Sequence, residues 1–249
     1  MAGILVDTGW GRANLKAVTE AAIDSGTALS AVELVSNTIG PIAAQGTARS
    51  IAATEVDCII LVVSVKTGVE VVNALHEHLP NVRVFSHWGI IGGNFAADVP
   101  SHVRDALAIQ VLQTCGLESE RQGNPILDRA LGRLADPRVD EFGLSGLWAP
   151  PAFVHGYDLT LILSAAVEQA AKTPEWSKGT NARRTALKQA LEGLDTPVPA
   201  ILRTYERPFS RSSSSEPDAH EALGEEDLCM NTFEADGRLK ASPQPAVEG

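Results

Sequence analysis

The sequence predicts an α/β protein built on a parallel, doubly wound sheet, and three observations carry that prediction. Over the first 115 residues a short β-branched run, a polar or Gly-rich loop and an amphipathic helical stretch recur in that order. Strands alternating with helices imply parallel pairing through right-handed crossovers. The third run, "DCIILVVS", is apolar without alternation, as a central parallel strand covered on both faces must be. The second half then carries more apolar helix than its few strand-like runs can cover.

The first strand is "AGILVDT". The helix after it, from about Arg12 to Asp24, sets Ala17, Val18, Ala21 and Ala22 on one face. "SAVELV" is the second strand, followed by a helix opening near Pro41. After the third strand, Thr67 and Glu70 have the spacing of a capping box, and Val71, Val72, Leu75 and Leu79 make the buried face. "VRVFS" is the fourth strand and "ALAIQVLQT" the fifth. Asn124-Pro125 opens a helix with Leu127, Ala130, Leu131 and Leu134 inward and Asp136-Pro137 closing it.

A crossing is expected from Trp148 to Pro151, then helices from about Val154 to Lys172 and Asn181 to Leu194. The second carries Leu187, Ala190, Leu191 and Leu194 on one stripe. The first is apolar nearly all round, with exposed apolar surface expected at Leu161, Ile162 and Val167. "AILRTY" reads as a strand and "SRSSSSEPDAHEALGEED" as a polar, mobile loop. "CMNTFEADGRLK" is a last extended piece turning at Asp236-Gly237, and "SPQPAVEG" a disordered tail.

A formal charge of -11 and a pI near 5.0 argue against nucleic acid and anionic membrane partners, which need clustered Lys and Arg. No stretch approaches the ~18 apolar residues of a membrane span. The opening "MAGILVDTGWGR" has no basic n-region and no cleavage pattern, so the expectation is either a cytoplasmic protein or a sequence that begins partway through a longer one. Cys58 reads as a small buried apolar residue, while Cys115 and Cys229 are free to pair in an oxidising compartment. The cysteines alone do not fix the compartment.

Catalytic and metal chemistry find little support. His76 and His78 stand two apart on a helix, about 200° around it, and cannot share one ion. His102, His155 and His220 have no partner at ligand spacing. Gly143-Leu144-Ser145-Gly146 lacks the spacing of a nucleophile elbow, and nothing assembles an acid, a base and a nucleophile. No cofactor is implied. Gly9-x-Gly11-x-x-Asn14 is near the dinucleotide fingerprint, but Asn stands for the third Gly and Glu33 falls inside the second strand. A nucleotide-binding, Rossmann-like enzyme domain is the alternative this leaves.

In open parallel sheets ligands sit outside the carboxyl ends of the strands. Four stretches stand there: Thr8-Gly9-Trp10-Gly11, Ser64-Val65-Lys66-Thr67, Ser86-His87-Trp88-Gly89 and Gln113-Thr114. Trp10 and Trp88 each adjoin a glycine, so an indole can line a cleft while the glycines admit a ligand. The competing reading is plain core packing.

With these residues in view, "AGILVDTGWGRANLKAV", "DCIILVVSVKTGVEVVNAL", "VFSHWGIIGG", "VHGYDLTLILSAAVEQA" and "RTYERPFS" through "DAHEAL" to "DGRL" occur in an order that resembles the second half of type I periplasmic substrate-binding proteins, the amino acid and amide receptors of ABC importers. The resemblance implies two α/β lobes that trap a small polar molecule between them. By it, residues 1–149 are the family's second lobe, 150–200 are helices returning to an incomplete first lobe, 201–241 are the final crossing and 242–249 a tail. It places the first lobe's sheet in an absent N-terminal segment of roughly 120 to 150 residues. It also implies a periplasmic receptor without enzymatic activity, partnered by a small-molecule ligand and a transporter permease. Trp10 matches an aromatic position after the lobe's first strand, and Ser64 and Val65 fall in a ligand-contacting loop, beside Thr8, Lys66, His87 and Trp88. Amino acid receptors commonly place an acid near His87 and Trp88; none is here, which leaves amides, short acids and aromatic compounds open. A ligand-sensing domain of a regulator is the third reading this fold supports.

Overall fold

The computed structural model describes residues 1–115, 123–134, 136, 150–213, 215–216 and 218–242. The chain divides into two units, Met1–Glu120 with Cys229–Gly249, and Arg121–Leu228. The expected helix close at Pro137, the stretch from Gly143 to Gly146, the crossing at Trp148 with the boundary at residue 149, and the tail beyond Ser242 lie outside the described residues.

The first unit is the doubly wound α/β body that the alternating pattern predicts. Strands β1 (Ala2–Val6), β2 (Ala31–Val35), β3 (Cys58–Val62), β4 (Arg83–His87) and β5 (Gln110–Thr114) run parallel in the order β2-β1-β3-β4-β5. Two further strands, β8 (Leu228–Phe233) and β9 (Leu239–Ala241), extend the sheet beyond β5, paired antiparallel around a turn in which Gly237 takes φ +87. Helices α1 (Gly9–Asp24), α2 (Pro41–Ala52), α3 (Val65–His78), α4 (Phe95–Asp98) and α5 (Ser101–Ala106) alternate with the parallel strands. Central β1 is buried at every residue, and Ile4, Ile59, Leu61, Val84 and Val111 join Ile51, Val71, Leu75, Phe95 and Leu107 in one core.

Packing revises three local expectations. The inward stripe of α1 runs through Gly11, Leu15, Val18 and Ala22, leaving Ala17 and Ala21 exposed. Gly11 sets that rotation: a Cβ there would lie 1.8 Å from the Val6 carbonyl oxygen, so the helix can approach β1 only along a residue without a side chain. Helix α3 starts at Val65 with Ser64 as its N-cap. Thr67 is therefore inside the helix, fully buried, and its hydroxyl donates to the Asn37 carbonyl at 2.9 Å instead of capping. The fifth strand is shorter than expected because α5 takes up Ala106 and a turn takes Leu107 and Ala108.

Two ties hold the β8–β9 extension. Buried Arg104 donates to the carbonyls of Ala96, Val99, Glu234 and Ala235 and lies over the Phe233 ring at 5.4 Å. Its charge is thus met by backbone acceptors, as burial of an ion requires. Cys115, directly after β5, forms a disulfide with Cys229 in β8. The pairing open in the sequence is made, and Cys58 remains free and is half-buried, not buried as the apolar run suggests.

The second unit contains α6 (Pro125–Leu134), α7 (Pro150–Ala171), α8 (Thr180–Glu192) and a hairpin of β6 (Val198–Pro199) and β7 (Thr204–Tyr205). Asn124 caps α6 as predicted, its Oδ1 accepting from the N–H groups of Ile126 and Leu127 at 2.9 and 3.2 Å. The run "AILRTY" is a tight turn flanked by short strands, not one strand. Asp158 explains it: this buried carboxylate accepts from Ile201 N–H at 2.7 Å, Leu202 N–H at 3.0 Å and the Tyr205 hydroxyl at 3.1 Å. Helix α7 turns Val154, Asp158, Ile162, Ala166 and Ala170 inward, so Ile162 is core and Leu161 and Val167 are half-buried. The exposed apolar residues are Leu159 and Leu163, which line a groove of about 380 Å³ with Leu191 and Phe209.

Candidate ligand-binding site

The carboxyl ends of β1, β3 and β4 bring the predicted residues to one rim of the first unit. Strand β3 lies between the other two, so β1 and β4 are two strand spacings apart, about 10 Å. Even so, the Trp10 and His87 rings have centroids 4.8 Å apart, tilted 57°. The chain leaving β4 bends into a 3-10 turn, Trp88–Ile90, and Gly89 settles on the end of β3. A Cβ on Gly89 would stand 2.6 Å from the Val63 carbonyl oxygen and 2.1 Å from His87 Cε1. The missing side chain therefore admits the chain's own imidazole and backbone, not a ligand as the sequence suggests.

Trp88 completes the group, its ring 5.7 Å from His87 at 36°. Trp10, His87 and Trp88 thus form one strip, with the indoles 43% and 49% exposed. Indoles are mostly buried in folded proteins, so two half-exposed ones at one rim depart from plain core packing.

His87 is a neutral plate within the strip. Its Nδ1 accepts from the Gly89 N–H, which assigns the remaining proton to Nε2, and Nε2 is buried without a hydrogen-bond partner. Burial holds the ring's pKa below the ordinary histidine value of 6.5, because the water a charged ring would lose outweighs the hydrogen bond it would gain from its own backbone carbonyl.

Thr8 is the N-cap of α1, its hydroxyl accepting from Gly11 N–H at 3.2 Å. Ser64 donates to Asn37 Oδ1 at 2.7 Å, so it joins the loop after β2, not the strip. Val65 packs near Gly93, and Lys66 is exposed in the first turn of α3 with no ion-pair partner among the described residues. Asp7 is held by Arg12 at 2.6 Å. Gln113 and Thr114 are no loop; they end β5 and are buried, and both amide atoms of Gln113 lack a partner. Asn37 is the residue sequence reasoning missed, although the polar run Ser36-Asn37-Thr38 after the second strand answers to the same strand-end rule.

The histidine geometry separates further. His78 Nε2 bonds Gln45 Oε1, while His76 meets the ring of His102 edge-on at 5.7 Å. Among the described residues no group of three or more His, Cys, Asp or Glu could hold a metal ion, and no helix is long and apolar enough to cross a membrane. Volume alone does not select a site: a groove of about 630 Å³ in the second unit is lined by Arg203, Arg207, Asp218, Glu221 and Glu226, without the ring strip.

No family model and no curated protein matches the chain. Solved structures do. An extracellular ligand-binding receptor from Rhodopseudomonas palustris HaA2 superposes with a TM-score of 0.71 at 16% identity, over 97% of this chain and 63% of that one. A type 1 periplasmic binding protein from Bordetella pertussis Tohama I gives 0.67 at 15%, over 97% and 60%. The solute-binding protein of an ABC transporter from R. palustris, solved in complex with benzoate, gives 0.65 at 13%, over 96% and 56%. The fold is that of type 1 periplasmic binding proteins, as the sequence resemblance implies, and the chain spans about three fifths of their length.

Proposed function

We propose that this chain is the solute-binding part of an ABC importer's receptor. It holds a small polar molecule, an amino acid, an amide or a related compound, at the carboxyl ends of β1, β3 and β4, and a second lobe closes over the bound molecule. The strip of Trp10, His87 and Trp88 is the single observation that carries the reading. Half-exposed rings at a strand-end rim give a ligand apolar area and a flat face, where this fold class places its ligands.

The role is binding and delivery to a permease, not catalysis. Affinity comes from desolvating the indole faces and from closure. The receptors and solute-binding proteins that share the fold support this assignment, and the benzoate complex among them supports a small organic ligand. The Cys115–Cys229 disulfide supports a periplasmic location, because such bonds persist in oxidising compartments.

The test is ligand-observed NMR of the purified chain against amino acids, amides and aromatic acids, repeated with Trp88→Ala. We expect one class to bind and the variant to weaken it roughly tenfold at unchanged melting temperature, as loss of one stacked ring implies. Lost stability with unchanged affinity would return Trp88 to the core and refute the reading.

A further inference from the structure

Resting on the receptor reading above, we infer that the molecule held at this rim is a flat aromatic acid, its ring laid on the indoles of Trp10 and Trp88 and its carboxylate balanced by Lys66. The ring follows from the strip itself. Trp10 and Trp88 are half exposed and each lies against His87, at tilts of 57° and 36°, so each indole offers a face on which an aromatic ring can stack offset.

Indole faces also attract cations, so charge has to decide between an aromatic acid and an ammonium ligand. The stretches after β1 to β4, residues 7–12, 36–40, 63–67 and 88–94, contain three charged side chains: Asp7, Arg12 and Lys66. Asp7 and Arg12 neutralise one another at 2.6 Å. Lys66 is left exposed and without an ion-pair partner among the described residues, a positive spot on a chain of net charge -11. His87 adds no charge, because Nδ1 is occupied and Nε2 is buried. The first turn of α3, where Lys66 stands, receives no side-chain cap, so its free N–H groups add to the positive potential. An ammonium finds no unpaired carboxylate in these stretches, whereas a carboxylate finds Lys66.

The experiment is isothermal titration of the chain with benzoate, benzamide, benzylamine, phenylalanine and leucine. Benzoate is expected to bind and benzylamine not to. Trp10→Ala and Trp88→Ala should each weaken benzoate roughly three- to tenfold, the range of a lost stacking contact. Lys66→Glu should weaken benzoate by about tenfold and benzamide much less, since the charged probe feels the reversal most.

Benzylamine or phenylalanine binding as tightly as benzoate, still dependent on the indoles, would overturn the aromatic acid and leave the receptor reading standing. Leucine binding alone, unaffected by either indole variant, would overturn the ring site. If none of the five binds and the indole variants lower the melting temperature, the indoles are packing residues and both readings fall.

Discussion

The Trp10 and His87 rings meet at 4.8 Å, tilted 57°, although one opens α1, the other ends β4, and β3 runs between them. Gly89 makes the contact geometrically available by lying against the Val63 carbonyl. Gly89→Ala should therefore lift the turn off β3 and separate the rings, at a cost of about 1–3 kcal/mol for an overpacked site. A melting curve and a crystal structure of the variant check this; unchanged stability with the rings still in contact would be the contrary result.

Protonation should unsettle the same turn. The folded His87 ring binds its proton more weakly than the unfolded chain, whose value is near 6.5. The folded state then carries fewer protons, so the stability contribution is complete above that value and is lost as pH falls from it through the lower folded pKa. Melting temperature should drop as pH falls below about 6.5, and His87→Phe should flatten part of the slope. His155, also lowered by burial with Asp158 opposing, accounts for a remainder.

In the second unit, Asp158 is the test of the hairpin. Asp158→Ala strands two buried N–H groups and the Tyr205 hydroxyl, and should cost about 3 kcal/mol or more. Tyr205→Phe removes one hydrogen bond donated to that carboxylate and should cost about 1 kcal/mol. Urea unfolding of both variants gives the ratio, and equal costs would mean that the carboxylate does not organise the turn. Burial, together with the same carboxylate, pushes the Tyr205 phenol well above its ordinary pKa.

Thiol titration addresses Cys115 and Cys229. Denatured without reductant, each chain should expose one free thiol, Cys58. With reductant, stability should fall by about 4–5 kcal/mol on the chain-entropy model for so long a loop. Three thiols before reduction would contradict the bond.

What the sequence revealed followed how local each signal was. The run Cys58 to Val63 announces a central strand because neither face is left to water, Ile59 and Leu61 being buried and Cys58 and Ile60 half-buried, and Asn124-Pro125 announces a cap because the partners are two and three residues away. The spacing of Thr67 misleads because its partner, the Asn37 carbonyl, lies thirty positions back along the chain. Periodicity alone turns Ala17 and Ala21 inward and cannot see that Gly11 fixes the rotation of α1. At the site, rings beside glycines at strand ends were legible. That Trp10 reaches His87 across β3 depends on a backbone contact no local pattern encodes.

The sheet that starts at Ala2 receives its last strands from residues 228–241. During synthesis β1 to β5 emerge long before β8, leaving β5 as a bare edge open to foreign strands while more than a hundred residues are added. Docking β8 is then the late, high-contact-order step of folding, and its entropic cost grows only with the logarithm of the intervening length. Once Cys115 and Cys229 join, that edge is sealed covalently, and a protease cut anywhere between them leaves two pieces that still travel as one molecule until reduced.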